Sequence, residues 1–537
     1  MTNWTPEQQA FIDAVRDTPD SIRLDAVAGS GKTTTLTYAA RGIPQDQKAI
    51  ALAFNKNIAE DMAKKFPSRI TCKTLNSVGH GIWLKATSRL QLDPRKMGDL
   101  TSKWCSDNLN DSEQALLWPA IRTIVQAIKS GGYIPPQWHN KTEYPGALLT
   151  PEVIEHICDT NEIEFVPLLY QAALNIILNS IAEAFTSRID FDDQLYMATY
   201  FTADELWPSF DVVMVDEAQD LSPMQHDMIE RLGAASRLLV VGDERQAIYG
   251  WRGASAKSLD DLQRRFKLRR MPLTVSFRCP ENIIKHAQRI VPYIKADKPG
   301  GRVFNWEVDK ETDEGGKAVN PGPAWFPEDF VRGSVVLCRN NAPLIKLGFA
   351  FIRYGIPCYF TGRDMAASLK KIVQALPTST TLQSALQSWY EDETDKLMEK
   401  KKYAQLDAVT DRYEALSAII LGSSAQDKTS LIRGIEKLFM RQPSPEAIEL
   451  STIHKAKGKE WPIVYFLNEH LIPGRWVLEA YNNDVPGSEE AMVQEDNLRY
   501  VAVTRAMDTL VYFTLDRDTS IISRAEWEAK LKGESNE

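Results

Sequence analysis

Cysteine is scarce and scattered. Six residues, Cys72, Cys105, Cys158, Cys279, Cys338 and Cys358, serve a chain of 537, and no two form a C-x-x-C pair. That spacing argues against a zinc site or an iron–sulfur cluster and fits a reducing compartment. Long apolar runs are also lacking. No eighteen consecutive residues are apolar, so no membrane span is expected. The first residues, Met1-Thr2-Asn3-Trp4-Thr5, have neither the charged nor the apolar region of a secretory signal. An excess of positive charge is missing too, since the formal net charge is −9. This weighs mildly against a nucleic-acid binder. It leaves room for a local basic groove, because the field inside a cleft is set by nearby residues.

What is present is ordinary in bulk and distinctive in places. Hydrophobic residues make up 43% and charged residues 25% of the chain, as in a globular protein with core for about three or four domains. The distinctive stretch is Arg23-Leu24-Asp25-Ala26-Val27-Ala28-Gly29-Ser30-Gly31-Lys32-Thr33-Thr34. It reads as a buried strand, a tight Gly-rich loop and a helix beginning near Lys32. Backbone N–H groups in such a loop form a nest for phosphate oxygens, and the helix dipole adds to the field. Lys32 would reach the outer phosphates and the Thr33 hydroxyl would bind Mg²⁺. Ala26 stands where the pattern usually opens with glycine, and a chance Gly-Ser-Gly turn is the bland alternative. Upstream, Thr5-Pro6-Glu7-Gln8 reads as a capping box opening an amphipathic helix to about residue 16, which by itself explains Gln8.

Strand–helix–strand alternation follows. Apolar strands are expected at 49–54 and 70–75, with a helix between them through residue 65. Such alternation makes a parallel α/β sheet with ligands at the carboxyl ends of the strands. Residues 85–187 are helical in pattern and read as an insertion, with a loop at 131–136. The sheet resumes with Val212-Val213-Met214-Val215-Asp216-Glu217. One carboxylate at that strand end can hold Mg²⁺ and the next can polarise water. Alternatively, the pair caps the following helix. Another strand, 238–241, runs into Gly242-Asp243-Glu244-Arg245-Gln246-Ala247-Ile248-Tyr249-Gly250-Trp251-Arg252-Gly253. A polar Gln246 at a strand end can sense a terminal phosphate. Tyr249 and Trp251 suit base stacking or pad an interface.

A second α/β unit is expected from Pro272. Its strands are predicted at 273–278, 334–339, 356–360, 448–452, 464–467 and 509–513. Residues 300–323 read as loop or hairpin, and 364–441 as charged helices. Lys400-Lys401-Lys402 reads as a solvated face or a nucleic-acid contact.

In order, these stretches resemble the motif set of the superfamily 1 DNA helicases of the UvrD, Rep and PcrA group. The phosphate loop 28–33, Asp216-Glu217-Ala218-Gln219-Asp220, and Ile248-Tyr249-Gly250-Trp251-Arg252-Gly253-Ala254 match three of the motifs. Thr452-Ile453-His454-Lys455-Ala456-Lys457-Gly458-Lys459-Glu460 and Tyr500-Val501-Ala502-Val503-Thr504-Arg505-Ala506 match two more. Gln8 falls where the family has its adenine-reading glutamine. Three departures stand out: Lys459 replaces the usual leucine, Ser276-Phe277-Arg278 replaces Asn-Tyr-Arg, and Phe54 is shifted by one beside Asn55-Lys56. The short segment before residue 445 and Lys73-Thr74-Leu75-Asn76-Ser77 are similar to the F-box DNA helicase branch.

The resemblance implies an α/β protein with two RecA-like parallel-sheet domains and two helical insertions. The first domain would comprise 1–84 and 188–271, with 85–187 inserted. The second would comprise 272–363 and 445–530, with a reduced insertion at 364–444. ATP with Mg²⁺ would be hydrolysed between the two domains. Lys32, Glu217, Gln246, Arg278 and Arg505 would be catalytic, the two arginines acting on the γ-phosphate. Gln8, Ala28, Gly29, Ser30, Gly31, Thr33, Thr34, Phe277 and Glu460 would complete the nucleotide site, with Thr33 and Asp216 on the metal. Phe54, Asn55, Lys56, Thr74, Ser77, Tyr249, Trp251, Arg252, Thr452 and His454 would line the DNA path.

The implied activity is 3′→5′ translocation on single-stranded DNA with duplex unwinding, in repair, recombination or replication. Single strands and single/double-strand junctions would be the substrates, and protein partners from those processes are allowed. A functional monomer is expected, cytoplasmic, at a nucleoid or in the cytosol of a viral host, with no membrane involved. Two rivals stay open. One is a single-strand translocase that strips bound proteins and unwinds weakly. The other is a phosphate-loop kinase or nucleotide-gated binding protein, whose ATPase would need no DNA.

Overall fold

The computed structural model describes residues 4–53, 55–161, 163–248, 258–306, 324–361, 363–399, 403–439, 442–485, 487–515 and 520–531. The chain divides into two compact units, Met1–Thr274 and Val275–Glu537. Phe54, Tyr249, Trp251 and Arg252 lie outside the described residues, as do Lys400, Lys401 and Lys402.

The first unit is built on a six-stranded parallel sheet. Its order is Arg269–Leu273, Ile22–Ala26, Arg237–Gly242, Val212–Val215, Ala49–Ala53 and Thr71–Thr74. Val212–Val215 and Ala49–Ala53 are buried along their whole length, as interior strands covered on both faces must be. The edge strand Thr71–Thr74 alternates exposed and half-buried residues.

The other edge corrects an expectation. Pro272 and Leu273, expected to open the second unit, pair instead with Asp25 and Ala26 of the first sheet. An edge strand accommodates proline because one side of its backbone needs no partner. The strand expected over 273–278 is thus interrupted. Val275–Ser276 pairs separately with Lys295–Ala296.

Residues 85–187 contain the helices Lys96–Asn108, Asp111–Gly131, Pro151–Asn161 and Pro167–Thr186. Among the described residues, Pro167–Thr186 is the one helix long and apolar enough to cross a membrane, with mean hydropathy 1.3. No eighteen-residue run is purely apolar, yet the average over this helix is high. One face, including Leu169, Ala172, Ile176, Ile177 and Ile181, lies in the core of the first unit.

A fully buried ionic cluster ties these helices to Phe191–Phe201, the helix that returns the chain to the sheet. Lys96 Nζ donates to Asp193 at 2.6 Å and to the Ser180 carbonyl at 2.7 Å. Lys129 Nζ donates to the other Asp193 oxygen at 2.6 Å and to Asp190 at 3.2 Å. Asp190 and Asp193 also form the capping box of Phe191–Phe201. The same two carboxylates therefore fix the helix start and neutralise two buried ammonium groups.

The second unit carries its own six-stranded parallel sheet. Its order is Arg302–Trp306, Ala506–Phe513, Trp461–Leu467, Val335–Cys338, Ile448–Thr452 and Cys358–Phe360. Arg302–Trp306 falls in the stretch expected to be loop or hairpin. It is an edge strand whose exposed Arg302, Phe304 and Asn305 hide the alternation that marks a half-buried strand. The helices Arg363–Ala375, Leu382–Glu399, Tyr403–Ser423 and Lys428–Phe439 follow Cys358–Phe360. Asp411 fastens Tyr403–Ser423 by accepting from the Asn341 and Ala342 backbones at 2.8 and 3.0 Å. Asp407 reaches Arg339, which is held bidentately by Glu495 at 2.7 Å.

Candidate nucleotide-binding site

In the first unit, every strand that ends near the Gly-rich loop delivers polar groups at its carboxyl end. Residues 27–31 leave Ile22–Ala26 and turn into the helix Lys32–Ala39. Gly29 and Gly31 adopt left-handed φ of 71° and 73°, a conformation glycine reaches at little cost. Gly31 stands at the cap of the helix and contributes no side chain there, and the first N–H groups of a helix have no partner within it. Ser30 is buried and its hydroxyl has no hydrogen-bond partner among the described residues. A buried, unsatisfied hydroxyl in a loop of this geometry fits an anionic oxygen that would complete it.

Gln8 serves two ends. Its Oε1 accepts from Thr5 N and its backbone N–H binds Thr5 Oγ1, closing the capping box. Its Nε2 donates to the Ser30 carbonyl at 3.2 Å. The cap reading is thus correct, and the residue also touches the Gly-rich loop.

Asp216 and Glu217 follow Val212–Val215. Asp216 Oδ2 accepts from Thr33 Oγ1 at 2.7 Å. Glu217 Oε2 accepts from Lys32 Nζ at 2.5 Å. Glu217 has φ 54°, strained for a non-glycine residue and found disproportionately at functional sites. Asp243 and Gln246, after Arg237–Gly242, bind one another at 2.6 Å.

Electrostatics bind this group together. Burial would lower the Lys32 pKa, but the Glu217, Asp216 and Asp243 carboxylates raise it above the ordinary value. Burial and the neighbouring Glu217 push Asp216 up against the opposing pull of Lys32 and Thr33. Burial raises Asp243 to about 6. Three carboxylates around one ammonium favour added positive charge. A threonine hydroxyl and one carboxylate are hard oxygen donors of the kind Mg²⁺ takes while keeping water and phosphate as its other ligands. No group of three or more His, Cys, Asp or Glu suited to a metal occurs among the described residues. The residues therefore fit both a polyphosphate and its magnesium.

Two members of this cluster were not among the expected site residues. Gln219 Nε2 donates to Glu217 at 2.7 Å, and its Oε1 accepts from Asp243 N at 3.1 Å. Asp243 contacts Gln246. Both stand inside the strings Asp-Glu-x-Gln-Asp and Gly-Asp, but strings do not tell which polar side chain turns inward. The expected DNA contacts Asn55 and Thr74 lie at the carboxyl ends of Ala49–Ala53 and Thr71–Thr74. Each caps the next helix, Asn55 binding Ile58 N and Thr74 binding Ser77 N. Lys56 is largely exposed and Thr34 is exposed.

In the second unit, Arg278 Nε donates to Glu460 at 2.6 Å and its Nη1 to the Thr504 carbonyl at 3.2 Å. Phe277, beside it, is half-buried. Arg505 is buried, and its guanidinium donates to the Val501 and Lys459 carbonyls and to Thr504 Oγ1 at 3.1–3.2 Å. Glu460, Arg278 and Arg505 therefore form one cluster. Thr452 closes the strand Ile448–Thr452, and His454 lies in the short helix Ile453–Ala456 that follows.

Residues 4–267 match the UvrD/REP helicase N-terminal domain, and residues 363–516 match the UvrD-like helicase C-terminal domain. F-box DNA helicase protein 1 of Schizosaccharomyces pombe is 24% identical over 543 residues, covering 94% of this chain and 57% of that protein. F-box DNA helicase 1 of Gallus gallus is 24% identical over 532 residues, covering 94% and 48%. ATP-dependent DNA helicase PcrA of Leuconostoc citreum is 24% identical over 415 residues, covering 70% and 52%. The chain spans about half the length of the curated relatives it matches. Both halves of the helicase signature lie in order on one chain, and the site residues of the first half converge. The chain belongs to the UvrD/Rep-like helicase family.

Proposed function

We propose that this protein is an ATP-dependent DNA helicase that translocates 3′→5′ on single-stranded DNA and unwinds duplex. The observation that carries the reading is the pairing of Lys32 with Glu217 and of Thr33 with Asp216 at one loop whose Ser30 hydroxyl is without a hydrogen-bond partner among the described residues. Thr33 and Asp216 would hold Mg²⁺, which when bound supplies positive charge to the terminal phosphates. Lys32 places its ammonium beside the same phosphates, and Glu217 orients water and accepts its proton. Arg278 and Arg505 would add charge stabilisation at the same nucleotide. Gln8 would read the base, Phe277 would stack on it, and Glu460 would hold the ribose. Asn55, Lys56, Thr74, Ser77, Thr452 and His454, with the undescribed Phe54, Tyr249, Trp251 and Arg252, would contact DNA.

The proposal includes the four-part division into 1–84 with 188–271, 85–187, 272–363 with 445–530, and 364–444. Its substrates are single strands and single/double-strand junctions. The four helices between 363 and 439 are a small accessory segment, which favours a second reading as a translocase that strips proteins and unwinds poorly.

ATP hydrolysis with and without single-stranded DNA tests the proposal. Strong stimulation by DNA, abolished in Lys32→Ala with nucleotide-free DNA binding kept, is the expected result. Hydrolysis indifferent to DNA would point to the kinase or nucleotide-gated class. Strand displacement compared with streptavidin displacement on one DNA separates helicase from translocase.

A further inference from the structure

The structure gives the ammonium of Lys459 a specific partner. Its Nζ lies 2.6 Å from Glu449 Oε1. Glu449 sits in the interior strand Ile448–Thr452 with its side chain 5% exposed, whereas that of Lys459 is 44% exposed. The same carboxylate accepts from Tyr359 Oη at 2.8 Å and from the Thr361 hydroxyl. A carboxylate buried at a strand needs such donors, and Lys459 is its only cationic partner among the described residues.

The position of this pair gives it a function. The chain leaves the carboxyl end of Ile448–Thr452, passes through Ile453–Ala456, and returns to the amino end of Trp461–Leu467. Glu449 pairs with Val335, the first residue of its strand, so the pair closes this crossover near its return. Lys459 N donates to the Ala456 carbonyl at 3.1 Å and Gly458 has φ 84°, which makes the return a tight turn. The Lys459 carbonyl accepts from Arg505 Nη1 at 3.2 Å. Glu460, the next residue, holds Arg278. Trp461 N donates to the Arg505 carbonyl at 3.0 Å. Three consecutive residues thus hold both arginines, and the Lys459–Glu449 pair ties this turn to the strand Ile448–Thr452.

We infer that Lys459 is a positioning residue for Arg278 and Arg505, acting through the 458–461 turn, an inference that rests on the proposed ATP hydrolysis. Loosening the turn lets both guanidinium groups and Glu460 drift, so turnover falls while the first unit's phosphate loop is untouched.

The test is steady-state ATPase in the presence of single-stranded DNA for Lys459→Met, Glu449→Gln, the double variant and Lys459→Arg, with ADP affinity and thermal melting measured alongside. Lys459→Met and Glu449→Gln are each expected to lower kcat roughly three- to tenfold. The double variant should be no worse than the worse single, and Lys459→Arg should recover at least half of the wild-type rate. ADP affinity should fall by a smaller factor than kcat, because the phosphate loop is intact and only the Glu460 contact to the ribose is loosened. Unchanged kcat in Lys459→Met, losses that multiply in the double variant, or no recovery in Lys459→Arg would each overturn the pairing. A fall in kcat that only tracks a fall in melting temperature across the four variants would do the same, by reducing the pair to a stability role. Absence of DNA-stimulated hydrolysis in the wild-type chain would instead strike the proposed function.

Discussion

At the residue scale, the first unit shows how side-chain amides and one imidazole support the acidic pair. Glu217 holds a left-handed backbone conformation and faces Lys32. Gln219 grips it from the other side and ties it to the Asp243 backbone. Replacing Gln219 with leucine, similar in size, removes that donor. Turnover should fall by roughly tenfold while ATP affinity changes little, since Gln219 makes no bond to the phosphate loop; initial-rate kinetics measure both. Behind this loop, His226 is buried against Ser258, with Nε2 2.8 Å from Oγ. The Ser258 hydroxyl in turn donates to the Ala218 carbonyl at 2.6 Å.

Burial, with Arg265 nearby, lowers the His226 pKa to about 4 from the ordinary 6.5. The unfolded chain therefore binds more protons between those values, so stability rises with pH across that window and is lost as pH falls through it. The full effect is up to about 3 kcal/mol. Thermal melting of His226→Gln between pH 4 and 7 should show a shallower slope than wild type; an identical slope would show that His226 is not the group responsible.

At the scale of elements, the cluster of Lys96, Lys129, Asp190 and Asp193 decides how the helices of residues 85–187 seat on the helix Phe191–Phe201. Periodicity places these helices, but it does not say that two lysines lie on their buried faces. Removing one side of such a cluster leaves uncompensated charge in a dry interior. Asp193→Ala should therefore cost about 3–5 kcal/mol. Replacing the cluster together, as Lys96→Met, Lys129→Met, Asp190→Asn and Asp193→Leu, should cost much less than the sum of the singles. Denaturant unfolding of the singles and of the combined variant checks this; additive losses would mean that the groups do not act as a unit. Helix starts show the opposite economy of information. Thr5, Asn55, Thr74, Asp190 and Ser222 all cap helices through bonds to residues three positions on, so short local patterns predict them.

At the scale of the whole molecule, the proposal requires the second unit's arginines to act on the nucleotide held by the first. Arg505→Ala should then lower turnover on the order of 10³-fold, as loss of an arginine finger does. Its bonds to Val501 and Lys459 mean that some stability goes with it. Retained ADP binding by the folded variant separates the two effects, and a near-normal rate would remove Arg505 from the chemistry. Directional unwinding is measured by displacement from substrates with a 3′ or a 5′ single-stranded tail. Preference for the 3′ tail is expected.

What the sequence determined by itself was the chemistry that is local along the chain. The Gly-rich loop, the acidic pair and the helix caps depend on residues within a few positions of one another, so their strings and their geometry coincide. The alternation of strands and helices likewise announced two parallel sheets, because interior strands must be apolar on both faces. Tertiary structure decided the rest. Strand order sets Pro272 and Leu273 in the first sheet, beside residues some 250 positions away. It brings Gln219 and Asp243 into the Lys32 site and joins Lys459 to Glu449. These outcomes turn on which buried polar group finds a partner, and the energy of that pairing belongs to neighbours that only the folded chain creates.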